Sequence, residues 1–203
     1  FLPKRYKVLY GGRGGGKSQN IATVLIIISY SRKVLILCVR QIQNSIADSV
    51  HKLLKEQIEA LGLLSAFDIT DTSIRCKRTG SEFIFKGIMR NITEIKSTQG
   101  VDILWVEEAQ PVPRDTWKTM VNTIRKDGSE IWISFNPKFL DDATYQDYVV
   151  NPPDDSFVIQ VNYMDNPYFP EVLRKEMERD KAKDKKEYEY TWLGVPHGGG
   201  GRV

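Results

Sequence analysis

The sequence predicts an α/β fold: a mostly parallel central sheet with helices on both faces. Three observations carry that expectation. Near-continuous apolar runs, such as Lys33 to Val39 and Ile103 to Val106, read as strands buried on both faces of a parallel sheet. Stretches with apolar residues at three- and four-residue spacing lie between them, as amphipathic helices require. The first strand–helix junction carries Gly11-Gly12-Arg13-Gly14-Gly15-Gly16-Lys17-Ser18, which matches G-x-x-x-x-G-K-[ST] at every fixed position.

In chain order, Tyr6 to Tyr10 is the first strand and Lys17 to Ser31 the first helix. The run Lys33 to Val39 follows as a buried strand. Ile42 to Leu61 places Ile46, Val50, Leu53, Leu54, Ile58 and Leu61 on one helical face, and Gly62 is the stop signal. Ile74-Arg75-Cys76 and Ser81 to Phe85 flank Lys77-Arg78-Thr79-Gly80, a hairpin pattern. Ile103 to Val106 is a strand, Thr116 to Ile124 a helix, Glu130 to Phe135 a strand. Ala143 to Val150 is a short helix bounded by Asn151-Pro152-Pro153, and Phe157 to Val161 is the last strand. After Asn166-Pro167 the composition shifts to a highly charged helical region, Glu171 to Tyr190, then Trp192-Leu193-Gly194. The expected division is a core over 1–165, a helical linker subdomain over 166–196 and a Gly-rich tail over 197–203. The chain opens on Phe1, and the tail reads as a linker or cloning scar, leaving room for more protein beyond it.

At 203 residues the chain is one sizeable domain, or one with a small appendage. Its 41% hydrophobic and 27% charged content is that of an ordinary soluble globular protein. A net charge of +3 permits nucleic-acid contact without arguing for it. Cys38 and Cys76 make neither a disulfide framework nor a metal spacing, which fits a reducing cytoplasm. The longest apolar stretch, Ile21 to Tyr30, is interrupted by Thr23 and Ser29 and is far short of a membrane span. With no secretory signal either, no membrane partner is expected.

The glycines of the loop let successive backbone N–H groups converge on phosphate oxygens, and the following helix adds its positive end. Lys17 is expected to reach the β- and γ-phosphates, and Ser18 to ligate Mg²⁺. Arg13 sits within reach of phosphate and is a candidate for stabilising transition-state charge in cis. Ile103-Leu104-Trp105-Val106-Glu107-Glu108 is an apolar strand ending in two carboxylates. The strand beside the loop is expected to supply an acid to Mg²⁺, here Glu107 through water; Glu108 then orients and deprotonates the attacking water. Neighbouring strand residues point to opposite sides, but the chain turns at the strand end, so both reach the site. The plain alternative is two solvated loop acids. The paired acids, and no guanine-reading Asn-Lys-x-Asp motif, point to ATP and to a phosphate-loop NTPase of the ASCE/RecA-like kind.

Ser134-Phe135-Asn136-Pro137 ends another strand, where Ser134 or Asn136 could sense the γ-phosphate, or Asn136-Pro137 could be a plain turn. Arg40, Arg90 and Arg114 are each read as solvated surface arginines. Ser97-Thr98-Gln99-Gly100 could touch phosphate or simply turn into the next strand. The mixed-sign run Arg174 to Lys186 reads as a solvated helix face, with a DNA-facing patch the lesser reading. Lys77-Arg78 at the hairpin tip is a candidate backbone-phosphate contact.

Three features together resemble the ATPase domain of the large terminase subunit of tailed bacteriophages: Arg13 inside the loop, Trp105-Val106-Glu107-Glu108-Ala109, and Ser134-Phe135-Asn136-Pro137. Further stretches are similar to the short-tailed, headful-packaging branch. They are Arg75 to Phe85 in general shape, Ile95 to Asp102, Val149 to Asp155, Asn162 to Arg174, and Trp192-Leu-Gly-Val-Pro. The resemblance covers nearly the whole chain. It implies a motor that hydrolyses ATP with Mg²⁺ to drive double-stranded DNA into a procapsid, holding the DNA by its backbone. It implies a portal ring and a small terminase subunit as partners, self-association into a ring, and action in the bacterial host cytoplasm and transiently at the portal. Position by position, Lys17 and Ser18 match the phosphate and Mg²⁺ residues, Glu107 the metal acid, Glu108 the catalytic base, Ser134 and Asn136 the coupling motif, and Arg13 the loop arginine. The family's metal acid is commonly Asp; the extra methylene of Glu107 suits water-mediated contact. The family's nuclease domain is expected to be absent, and with it nuclease activity. No base-binding residue stands out, and the region before Tyr6 is expected to help form that pocket. The alternatives are another RecA-like or helicase-type DNA-dependent ATPase, and a nucleotide-binding assembly module with little turnover.

Overall fold

A computed structural model describes residues 2–41, 47–88 and 95–198. In chain order its elements are β1 Tyr6–Tyr10, α1 Lys17–Ser31, β2 Leu35–Arg40, α2 Lys52–Ala60, β3 Phe67–Ile69, β4 Ser73–Cys76, β5 Glu82–Gly87, β6 Ile103–Glu107, α3 Arg114–Thr123, β7 Glu130–Phe135, the single turn α4 Ala143–Tyr145, β8 Ser156–Gln160, α5 Glu171–Lys183 and α6 Lys185–Leu193. Most expected elements fall within one or two residues of these. The helix expected from Ile42 is described from Ala47, as a π turn leading into α2. Its first residues, like Arg90 and the end of the tail, lie outside the described residues. The single charged helical region expected after Pro170 is two helices. The Asp184 carboxylate accepts the N–H groups of Lys186 (3.0 Å) and Glu187 (3.2 Å) and so starts α6.

The strands form one sheet in the order β3-β4-β5-β2-β6-β7-β1-β8. From β5 to β8 the neighbours are parallel, which places the carboxyl ends of six strands along one edge. β4 pairs antiparallel with β5 around the turn at 77–80, the expected hairpin, and β3 extends it by one more antiparallel strand. The acid-bearing strand β6 is separated from the loop strand β1 by β7, yet its end lies beside the loop. Strand order is set by long-range pairing that local sequence does not encode. The consequence is a row across the sheet: Leu9 lies opposite Ser134, and Ser134 opposite Glu107.

Both faces of the sheet are covered. On one, α1 and α2 bury Ile21, Leu25, Ile26, Leu54 and Ile58 against β-strand residues including Trp105. On the other, Trp117 and Met120 of α3 pack on Leu104, Val106 and Ile133. This explains why the central strands lack polar alternation. A third, smaller cluster gathers Phe169, Met177, Tyr188 and Trp192 around the C-terminal helices.

Candidate active site

The loop leaves the end of β1 and enters α1, and it is braced from behind by the C-terminal segment. The Gly12 N–H donates to Asn162 Oδ1 (2.7 Å) and the Arg13 N–H to the Thr191 carbonyl (2.7 Å). Asn166 Nδ2 donates to the Gly14 carbonyl at 2.8 Å. A Cβ on Gly12 would lie 2.0 Å from the Trp192 carbonyl oxygen, so only glycine permits this approach.

Lys17 opens α1 and is buried. Its Nζ donates to the carbonyls of Gly11 (3.1 Å) and Gly12 (2.6 Å). Burial pulls its pKa down to about 8, although Glu107 works the other way. At the next residue, Ser18 Oγ donates to Glu107 Oε1 at 3.2 Å.

Glu107 ends β6 and Glu108 follows it at φ 48°, a left-handed conformation. Among the described residues it is the single non-glycine with positive φ. Such strain concentrates at functional sites. Here it turns the chain so that both carboxylates meet one cation, as the strand-end argument requires. Arg40 at the end of β2 has its Nε 3.2 Å from Glu107 Oε2 and pairs through Nη2 with Glu108. Burial, and next the Glu108 charge, push the Glu107 carboxyl up to about 7 against Arg40, Ser18 and Lys17. Glu107 Oε2 is buried without a hydrogen-bond partner. A buried carboxylate that meets a serine hydroxyl at one oxygen and faces only the Arg40 charge at the other is a donor set that suits Mg²⁺, which takes one or two protein oxygens and completes its shell with phosphates and water.

Lys17, Ser18, Glu107 and Glu108 line one cavity of about 970 Å³, together with Arg13 and Asn136. Among the described residues the Arg13 guanidinium makes no ion pair, and it lies close enough to Tyr190 to act on its phenol. The two expected coupling residues differ. Ser134 is buried and its Oγ accepts the Trp105 indole N–H at 3.0 Å, which ties the site to the core. Asn136 is exposed to the cavity.

Arg40 corrects the reading of it as a solvated surface group: it is the cation that both acids share. Its signal was position, at the carboxyl end of a buried strand paired with β6. Gln110 was also missed; it lines the cavity and its Oε1 is buried without a partner. Other candidates lie elsewhere. Arg114 pairs with Asp147 on the surface (2.7 Å). Ser97-Thr98-Gln99-Gly100 is not among the residues of this cavity; Thr98 Oγ1 accepts from Lys86 (3.1 Å). Lys77 pairs with Asp68 (3.2 Å), and Arg78 covers the Tyr30 ring (4.7 Å). The run from Arg174 pairs with neighbours on its own helices, as Arg174–Glu171 (3.3 Å) and Lys185–Glu189 (3.7 Å).

The family model of the phage terminase large subunit matches residues 3–195. The large terminase subunit of Bacillus phage SPP1 is 26% identical over 208 residues, covering 95% of this chain and 49% of that protein. The large terminase of a thermophilic bacteriophage, solved in complex with ADP, superposes with a TM-score of 0.76 at 13% identity, over 95% of this chain and 48% of that one. The large terminase ATPase domain of a Thermus phage gives a TM-score of 0.71 at 17% identity, over 95% of this chain and 89% of that one. The chain thus spans no more than about half the length of the curated relatives it matches.

Proposed function

The chain belongs to the phage terminase large subunit family, and on that basis we propose that it is the ATP-hydrolysing motor segment of a DNA-packaging machine. The observation that carries the reading is the convergence of Lys17, Ser18, Glu107 and Glu108 on one cavity. Lys17 is a desolvated ammonium surrounded by its own loop carbonyls, and the β- and γ-phosphates are the anions that suit it. Ser18 and Glu107 would hold Mg²⁺, with Glu107 acting through water. When bound, the cation neutralises charge on the phosphate oxygens. Glu108 orients the attacking water and takes its proton. Arg13 faces the transferring phosphoryl group and offsets its developing charge. Asn136 senses the phosphate end of the cavity, and Ser134 passes the change to Trp105 and the sheet.

Residues 166–196 act as the linker subdomain that receives this change through the contacts of Asn166 and Thr191 with the loop. Double-stranded DNA is held by its backbone, independently of sequence. The portal ring, the small terminase subunit and further copies of the chain in a ring are the partners, in the bacterial host cytoplasm and transiently at the procapsid portal. This segment supplies nucleotide hydrolysis and not DNA cleavage.

The test is steady-state ATP hydrolysis with and without Mg²⁺, for wild type and Glu108→Ala. Wild type should depend on Mg²⁺, and the variant should lose about 10²–10⁴-fold in kcat while still binding nucleotide. Equal turnover would remove Glu108 from the role of base.

A further inference from the structure

The cavity extends past the phosphate loop to a wall made by the segment that follows Asn166. Tyr168 stands in that wall with 88% of its surface exposed, although its ring is large and mostly apolar. The segment is held in place. Asn166 Nδ2 donates to the Gly14 carbonyl at 2.8 Å, and Asn166 Oδ1 accepts the Tyr168 N–H at 2.9 Å. A chain of two hydrogen bonds therefore fixes the Tyr168 backbone relative to the loop. Amide side chains gather at the same end. Around the position a Cβ would take on Gly16 lie Asn20 Nδ2 (3.4 Å), Gln19 Oε1 (3.7 Å) and Asn166 Nδ2 (4.0 Å). Asn20 and Asn166 donate to loop carbonyls, whereas Gln19 is exposed on the first turn of α1 and its side-chain amide makes no hydrogen bond among the described residues.

We infer that Tyr168 and Gln19 form the base subsite of the cavity, with the Tyr168 ring as a stacking platform for adenine and the Gln19 amide facing its edge. The subsite rests on the reading that the loop holds the phosphates. The acids lie at the γ-phosphate end, so the nucleoside leaves the loop on the other side, over the first turn of α1 and toward Asn166. A flat π-system beside a fixed phosphate cradle suits a base, whose stacking does not depend on a hydrogen-bond code. An amide matches the adjacent donor and acceptor on the adenine edge. The cavity volume of about 970 Å³ is large enough for a whole nucleotide. The base is thus met by the segment after the last strand.

Calorimetric titration with ADP and with inorganic pyrophosphate, each with Mg²⁺, separates the base from the phosphates. Wild type should bind both, ADP more tightly. Tyr168→Ala should weaken ADP about five- to one-hundred-fold and leave pyrophosphate unchanged. Tyr168→Phe should keep wild-type affinity for both, and Gln19→Leu should narrow the preference for ADP over GDP. If Tyr168→Ala binds ADP as wild type does, or loses ADP and pyrophosphate alike, the subsite is overturned. If wild type binds pyrophosphate as tightly as ADP, the loop reading stands and the subsite falls. If wild type binds neither, the loop reading itself has failed.

Discussion

Arg40 is the residue on which the acid pair depends. Its guanidinium reaches Glu107 through Nε and Glu108 through Nη2, a two-handed geometry that an ammonium does not reproduce. Removing it leaves two adjacent carboxylates without their cation, one of them buried. Arg40→Ala and Arg40→Lys should both lower kcat for ATP hydrolysis by about ten-fold or more, with a smaller change in nucleotide affinity. Turnover unchanged in Arg40→Lys would reduce its role to simple charge. Glu107 also makes stability depend on pH in the nucleotide- and metal-free protein. Its carboxyl is raised from 4.5 to about 7, so the fold favours the protonated form. That stabilisation is complete at pH values below the unfolded pKa and is lost as pH rises through about 7. Thermal melts without nucleotide or Mg²⁺ should fall between acid and neutral pH by at most about 3 kcal/mol. Glu107→Gln should flatten that slope; an unchanged slope would place its origin elsewhere.

At the scale of elements, the contact between the phosphate loop and the end of α6 is the least forgiving. Gly194 closes α6 at φ 66°, and a Cβ there would lie 2.5 Å from the Gly11 backbone. Gly12 faces the Trp192 carbonyl at a still shorter distance. Both neighbours are main chain and cannot swing aside. Gly194→Ala and Gly12→Ala should each cost about 1–3 kcal/mol of stability and weaken nucleotide binding, because the loop must shift to make room. Denaturant unfolding and nucleotide titration of each variant check this together. A loss of stability with intact binding would show that α6 braces the fold without shaping the loop. The sequence made the loop and the helix legible separately. Nothing in Trp192-Leu193-Gly194 announces that its carbonyl meets Gly12, since the two are far apart in the chain.

For the molecule as a whole, the net charge is only +3, and the charged helices over 171–193 pair part of their charge locally, as Arg179 with Glu176, so neither feature singles out a DNA track. DNA held by its backbone nevertheless has a clear signature. DNA stimulation of ATP hydrolysis should fall about ten-fold or more between roughly 50 and roughly 200 mM salt, and should not depend on DNA sequence. Stimulation that survives the higher salt, or that follows one sequence, would contradict backbone binding. Basal turnover without DNA should change far less across the same range, because Lys17 is buried and Arg40 and Glu107 are only slightly exposed.

Periodicity and motif were enough for the α/β class, most element boundaries, the phosphate loop and the acids at the end of β6. Each is a local property: an apolar run, a helical spacing, a fixed pattern of glycines before Lys17 and Ser18. Pairing at long range supplied the rest. It set β7 between β1 and β6, so that Ser134 rather than Glu107 is the direct neighbour of the loop strand. It brought Arg40 across from β2 to both acids and turned an apparent surface arginine into part of the site. It folded the segment after Asn166 back onto the loop, where Tyr168 joins the wall of the cavity. Local sequence encodes what a segment prefers to be; which segments meet depends on the free energy of packing the whole sheet, and no short stretch contains that information.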